Sequence, residues 1–255
     1  MDDTNDIIET KKKESSGEMF STDERTKIEN MRRCFLTIFD HDEEYCLYEN
    51  VSDRMLALIS WSKFVGQTAL NFIRFSRQIP EFETLNNDDR FILIKNNLFS
   101  LYLLSKSFTD QPDELNEKQK HFYHLCFGSN SMYDSFLSLR HSINEITRQD
   151  PIYFTLLLTI IIFSHCLSIN DEQTLLKDLL GVNRAQSFYT KLLWNYIRKS
   201  HDETRACLHF TQLVNLIMRM QSLCKTIREF FRIQLSTSYN IDKLTSLMQS
   251  LPFIP

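Results

Sequence analysis

The chain has 255 residues and a formal net charge of −4, with 42% apolar and 24% charged residues, enough of both for one sizeable core. It holds only 4 glycines and 5 prolines, where an average composition supplies about 30. That scarcity excludes turn-rich β-sandwiches, glycine-cradled phosphate sites and dinucleotide fingerprints, and the mildly acidic balance excludes a domain that lives mainly on phosphate contacts.

Residues 1–30 carry Lys11–Lys13, several acids and few apolar side chains. This predicts a disordered lead-in, with the domain proper over 31–255. The lysine run reads as a solvated tail, with a nuclear import signal as the alternative. Met1–Glu18 is charged and polar, unlike a secretory leader. The six cysteines (Cys34, Cys46, Cys126, Cys166, Cys207, Cys224) stand far apart. They lack the spacing of a zinc finger and fit a reducing compartment.

The predicted elements are all helices. The first covers Lys27–Phe39. From Val51 onward, Val51, Leu58, Val65, Phe72 and Ile79 recur every seven residues, which predicts one long helix ending before Pro80. Asn87 or Asp88 caps the next helix, over Asp89–Phe108. That helix is apolar almost all round and is expected in mid-core. Further helices are expected at Glu117–Phe127, Met132–Thr147, Ile152–Leu167, Glu172–Leu179, Arg184–Lys199, Thr204–Phe231 and Ile241–Leu251. Ile152–Ile169 carries no formal charge and reaches the lower length limit of a membrane span. Thr155, Ser164, His165 and Ser168 dilute it, so a buried core helix is the preferred reading.

Phe75-Ser76-Arg77-Gln78-Ile79-Pro80-Glu81-Phe82-Glu83-Thr84-Leu85, followed by Asp89-Arg90-Phe91-Ile92-Leu93-Ile94-Lys95, resembles the nuclear receptor ligand-binding domain. Phe75, Pro80, Phe82, Leu85, Asp89, Leu93 and Lys95 match that family's pattern without a gap. Arg77 keeps the charge of its lysine, while Ser76, Arg90 and Ile94 depart. Val182, Gln186, Tyr189, Leu193 and Tyr196 resemble a late helix of the family. Ile160–Ser164 resembles its preceding buried helix, although the family's glutamate would fall at Tyr153. Phe210, Leu213, Val214, Ile217, Met220 and Leu223 fit its dimerisation helix. The resemblance covers about Val51–Leu251.

The resemblance implies an all-α, three-layer antiparallel helical sandwich around an apolar cavity. It implies transcription regulation in the nucleus, with the cytoplasm as a second location. Partners would be coregulator proteins and a homo- or heterodimeric receptor subunit. No nucleic-acid contact is expected from this chain, because the family's zinc-finger cysteines have no counterpart here; it reads as a ligand-binding domain cut from a longer receptor, or as a receptor without fingers.

A coregulator Leu-x-x-Leu-Leu helix would lie in a groove with Arg77 as the first cation, Lys95 as support, and Ile73 and Ile92 beneath. The family's terminal helix fits best at Leu247, Met248, Ser250 and Leu251, which places Ser250 where the family has glutamate. The pairing surface would involve Leu213, Val214, Ile217 and Met218. Ligand contacts would fall at Trp61, Phe64, Val65 and Thr68 on the long helix, and at Phe99, Tyr102 and Leu103 on the central one. Steroid-type receptors place an acid and an arginine where this chain has Thr68 and Thr109, which argues against a steroid. Two readings stay open: an aromatic-lined pocket for a lipophilic small molecule, or a pocket filled by its own aromatics. No cofactor, metal site or catalytic constellation is expected, and an enzyme is disfavoured.

Overall fold

A computed structural model of the chain describes residues 20–39, 51–109, 116–128, 130–164 and 176–237. All regular secondary structure among the described residues is α-helical. The expected terminal helix, with Leu247, Met248, Ser250 and Leu251, lies outside them.

Helix α1 spans Thr22–Phe39. It starts inside the segment expected as lead-in, because Ser21 and Glu24 close a reciprocal cap. The Ser21 hydroxyl oxygen accepts the Glu24 N–H at 3.2 Å, and the Ser21 N–H reaches the Glu24 carboxylate at 2.8 Å. Such a pairing satisfies two backbone donors at once. The buried stripe Ile28, Met31, Phe35 and Phe39 then has ordinary helical spacing.

Helix α2 spans Arg54–Ser76 and is capped by Asp53. It is shorter at both ends than the expected Val51–Ile79. Ile79 is extended, at ψ 110°, as the residue before a proline must be. Pro80 opens the short helix α3, Pro80–Glu83, where its missing N–H costs nothing.

Helix α4 spans Asn87–Thr109. Its true cap is Asn86, whose side-chain oxygen accepts the Asp89 N–H at 3.0 Å. Helix α5, Glu117–Phe127, has the Asn116–Gln119 capping box and ends at Gly128 in the left-handed region, φ 65°. A Cβ on Gly128 would lie 2.7 Å from Arg54 Nη2, the movable end of a long side chain, so it is the left-handed backbone that calls for glycine. Helices α6 (Asn130–Thr147), α7 (Pro151–Ile162), α8 (Leu179–Ser200) and α9 (Glu203–Thr237) follow.

Helix α4 packs against α2, α6, α7 and α9, and α7 packs in turn against α1 and α8. Every residue from Tyr153 to Ile162 is buried, so α7 is a core helix. At 12 residues it is about 18 Å long. No helix among the described residues is long and apolar enough to cross a membrane.

Two polar ties fasten the periphery. Glu81 of α3 pairs with Lys27 of α1 and accepts the Tyr189 hydroxyl of α8. Asp89, fully buried at the start of α4, accepts the backbone N–H groups of Lys177 and Asp178, each at 2.8 Å. Asp89 therefore holds the entry to α8.

Candidate functional site

The matched motif folds as one corner of the molecule, where α2 ends, α3 turns and α4 begins. Its apolar members Phe75, Ile79, Phe82, Leu85 and Leu93 are all buried. Arg77 and Lys95 are exposed. Ile73 is half-buried and Ile92 is buried.

Two features of this surface escape a sequence reading. Phe91 is 41% exposed, although it sits on a helix that is apolar almost all round. The Lys95 ammonium lies 5.8 Å from the Phe91 ring centroid, within cation–π range. The second feature is Glu83. Its carboxylate lies 3.4 Å from Arg77 Nε and 3.1 Å from Arg90 Nη1. An acid thus already occupies the cation expected to meet a partner helix. The Arg77 side chain remains 66% exposed, so this pairing is weak and exchangeable.

Of the residues expected at the ligand pocket, the four aromatics touch one another. The Trp61 indole N–H donates to the Tyr102 hydroxyl oxygen at 3.2 Å. Trp61 stands 5.7 Å from Phe99 and 5.9 Å from Tyr102 between ring centroids, and Phe64 stands edge-on to Tyr102 at 6.0 Å. Val65, Thr68 and Leu103 are each 2% exposed, and the Thr68 hydroxyl donates to the Phe64 carbonyl of its own helix.

Cations cover this aromatic cluster on two sides. The Lys106 ammonium lies 4.4 Å over Phe64, and the Arg228 guanidinium 5.9 Å over Phe99. Arg228 also donates to the Asn96 carbonyl at 3.1 Å. Lys106 and Arg140 are both fully buried, and Arg140 donates to the Lys106 carbonyl at 3.0 Å.

On α9 the four expected residues divide. Leu213 is buried at 1% exposure, Ile217 is half-buried, and Val214 and Met218 are 45% and 60% exposed. Leu208, at 61% exposure, lies on the same broad outer side. Phe210 packs edge-on against Trp194 of α8 at 5.6 Å. Those two rings help line a surface groove of about 410 Å³ between α8 and α9. A larger groove, about 640 Å³, runs between α6 and α9, and one of about 290 Å³ lies between α3 and α8. None of these three grooves is lined by the Trp61 stripe.

The expected glutamate position holds Tyr153, and its hydroxyl lies 3.1 Å from His209 Nε2. His124, three positions after His121 in the sequence, is engaged with the Tyr133 ring at 4.3 Å. Among the described residues no cluster of three or more His, Cys, Asp or Glu side chains is placed to hold a metal ion.

No protein-family model matches this chain. No curated protein matches its sequence.

Proposed function

We propose that this chain is a ligand-binding domain of the nuclear receptor type, regulating transcription in the nucleus by exchanging protein partners. A coregulator helix lies on the corner of α2 and α4, and a second receptor subunit pairs through the outer face of α9. The observation that carries this reading is the sorting of the matched motif. Phe75, Phe82, Leu85 and Leu93 are buried at one corner, while Arg77, Lys95 and the Phe91 ring stand exposed on it. A helix-in-groove partner needs this combination: an apolar floor, and a cation for the orphan carbonyls at its carboxyl end. The packing of α4 and α7 between α1–α2 and α8–α9 supports the three-layer sandwich.

Of the two forms of this reading, the ligand-independent one is favoured. Trp61, Phe64, Phe99 and Tyr102 contact one another, and aromatics of this size each occupy 150–250 Å² of contact surface, roughly. They fill the space that a lipophilic ligand would take. The test is a titration of a labelled Leu-x-x-Leu-Leu peptide against the full chain without added ligand. Saturable binding that requires no small molecule supports the reading; no binding to the wild type, alone or with lipophilic compounds, overturns it.

A further inference from the structure

The corner where the α6–α7 and α8–α9 turns meet gathers titratable groups that the partner surfaces do not use. Tyr153 of α7 reaches His209 of α9, 3.1 Å from hydroxyl to Nε2. The His201 ring, in the α8–α9 turn, stands 5.3 Å from the His209 ring between centroids. His201 Nδ1 lies 3.2 Å from the Ile197 carbonyl oxygen at the end of α8. Tyr196 of α8 packs edge-on against Tyr153 at 5.4 Å.

The one carboxylate among these groups is already engaged. Asp150 accepts the Ile152 N–H with one oxygen and the Tyr196 hydroxyl with the other. The start of α9 carries two acids, Asp202, which pairs with Arg205 at 3.4 Å, and Glu203 in the first turn. The positive charge of Arg148, in the α6–α7 turn, also disfavours a proton on His209. That turn is itself strained: Arg148 and Gln149 both adopt left-handed backbone, φ 51° and 55°, a conformation that costs non-glycine residues of order 1 kcal/mol or more.

We propose that the Tyr153–His209–His201 corner is a proton-sensitive latch on the first turns of α9. With His209 neutral, Nε2 accepts the Tyr153 hydroxyl and α9 is held against α7. With His209 protonated, its charge is opposed by His201 and Arg148 while Asp150 keeps its contacts to Ile152 and Tyr196, and the start of α9 lets go. Burial, then His201, then Arg148 hold the His209 ring below the ordinary histidine range, as this arrangement requires. The latch bears on Leu208, the exposed apolar residue beside His209. Opening would change how that side chain is presented to a partner. The inference does not depend on the receptor reading, because it concerns only the attachment of α9.

Amide hydrogen exchange on the full chain at pH 7.5 and 5.5, expressed as protection factors, tests the latch. Protection over residues 205–212 should fall at least about threefold at the lower pH relative to α4. In His209→Gln the protection of that segment should not respond to pH. In Tyr153→Phe it should be low at both values. Constant protection in the wild type, or a drop that survives in His209→Gln, overturns the proposal. Should His209→Gln fail to fold, the titration of the wild-type His209 ring by nuclear magnetic resonance decides. A midpoint below about 6.5 supports the latch, and one at or above it overturns the latch.

Discussion

The Trp61 indole N–H points at the Tyr102 hydroxyl oxygen, 3.2 Å away and 41 positions along the chain. The contact joins α2 to α4 across the interior and orients both rings, so each closes the space beside the other. A buried aromatic with a satisfied polar group is strongly positioned. Under the filled-interior reading proposed above, this pair is what occupies the ligand's place.

Trp61→Ala should destabilise the domain by about 3–5 kcal/mol, the usual cost of truncating a large buried aromatic. It should also open an apolar cavity that small hydrophobic compounds can enter. Urea unfolding with and without a medium-chain alcohol or fatty acid checks this. The variant should regain stability on addition, and the wild type should not change.

Glu83 competes for Arg77 with any partner helix. Exposed ion pairs are worth about 0.2–1 kcal/mol, so Glu83→Gln should tighten Leu-x-x-Leu-Leu peptide binding by up to about fivefold. Arg77→Glu should weaken it by at least about tenfold, or 1.4 kcal/mol, and Lys95→Glu should do less. Fluorescence anisotropy on the three variants checks the order. Equal affinity for wild type and Arg77→Glu would remove Arg77 from the groove.

Neighbouring positions of α9 should respond in opposite ways. Met218→Arg places a charge on a 60% exposed site and should leave stability within about 0.5 kcal/mol, while abolishing association. Leu213→Arg places the same charge in the core, where a lone buried cation is not tolerated, and should unfold the domain. Circular dichroism and sedimentation velocity separate the two outcomes.

Asp89 links stability to pH. Burial raises its affinity for a proton, but the N–H groups of Lys177 and Asp178 and the Asn86 amide outweigh this and hold its pKa below the ordinary 3.8. A carboxylate with a depressed folded-state pKa contributes its stability above the ordinary value and loses it as pH falls through the folded one. The contribution is thus complete at pH 7 and declines below about pH 4. Asp89→Asn should cost about 2 kcal/mol at pH 7, typical of hydrogen bonds to a buried charge. It should also lack that acid-side decline in urea midpoints measured from pH 6 to 3.

The helix ends around Pro80 were legible in the sequence because their signals are local. Pro80 ends one helix by acting on the residue before it, and Asp53 and Asn116 cap helices through donors three positions away. The spacing of Phe75, Phe82, Leu85 and Leu93 sets which side of each turn is apolar. Burial, by contrast, depends on what packs opposite, and that partner is remote in sequence. Periodicity could not tell Leu213 from Val214, or see that Phe91 faces solvent while Lys106 and Arg140 do not. The capping chemistry of Asp89 suggests service to its own helix, yet its carboxylate fastens residues 88 and 89 positions away. The choice between a lined and a filled interior was open for the same reason. Trp61 and Tyr102 occupy the same helix positions in either case, and only the tertiary structure shows that they meet across α2 and α4.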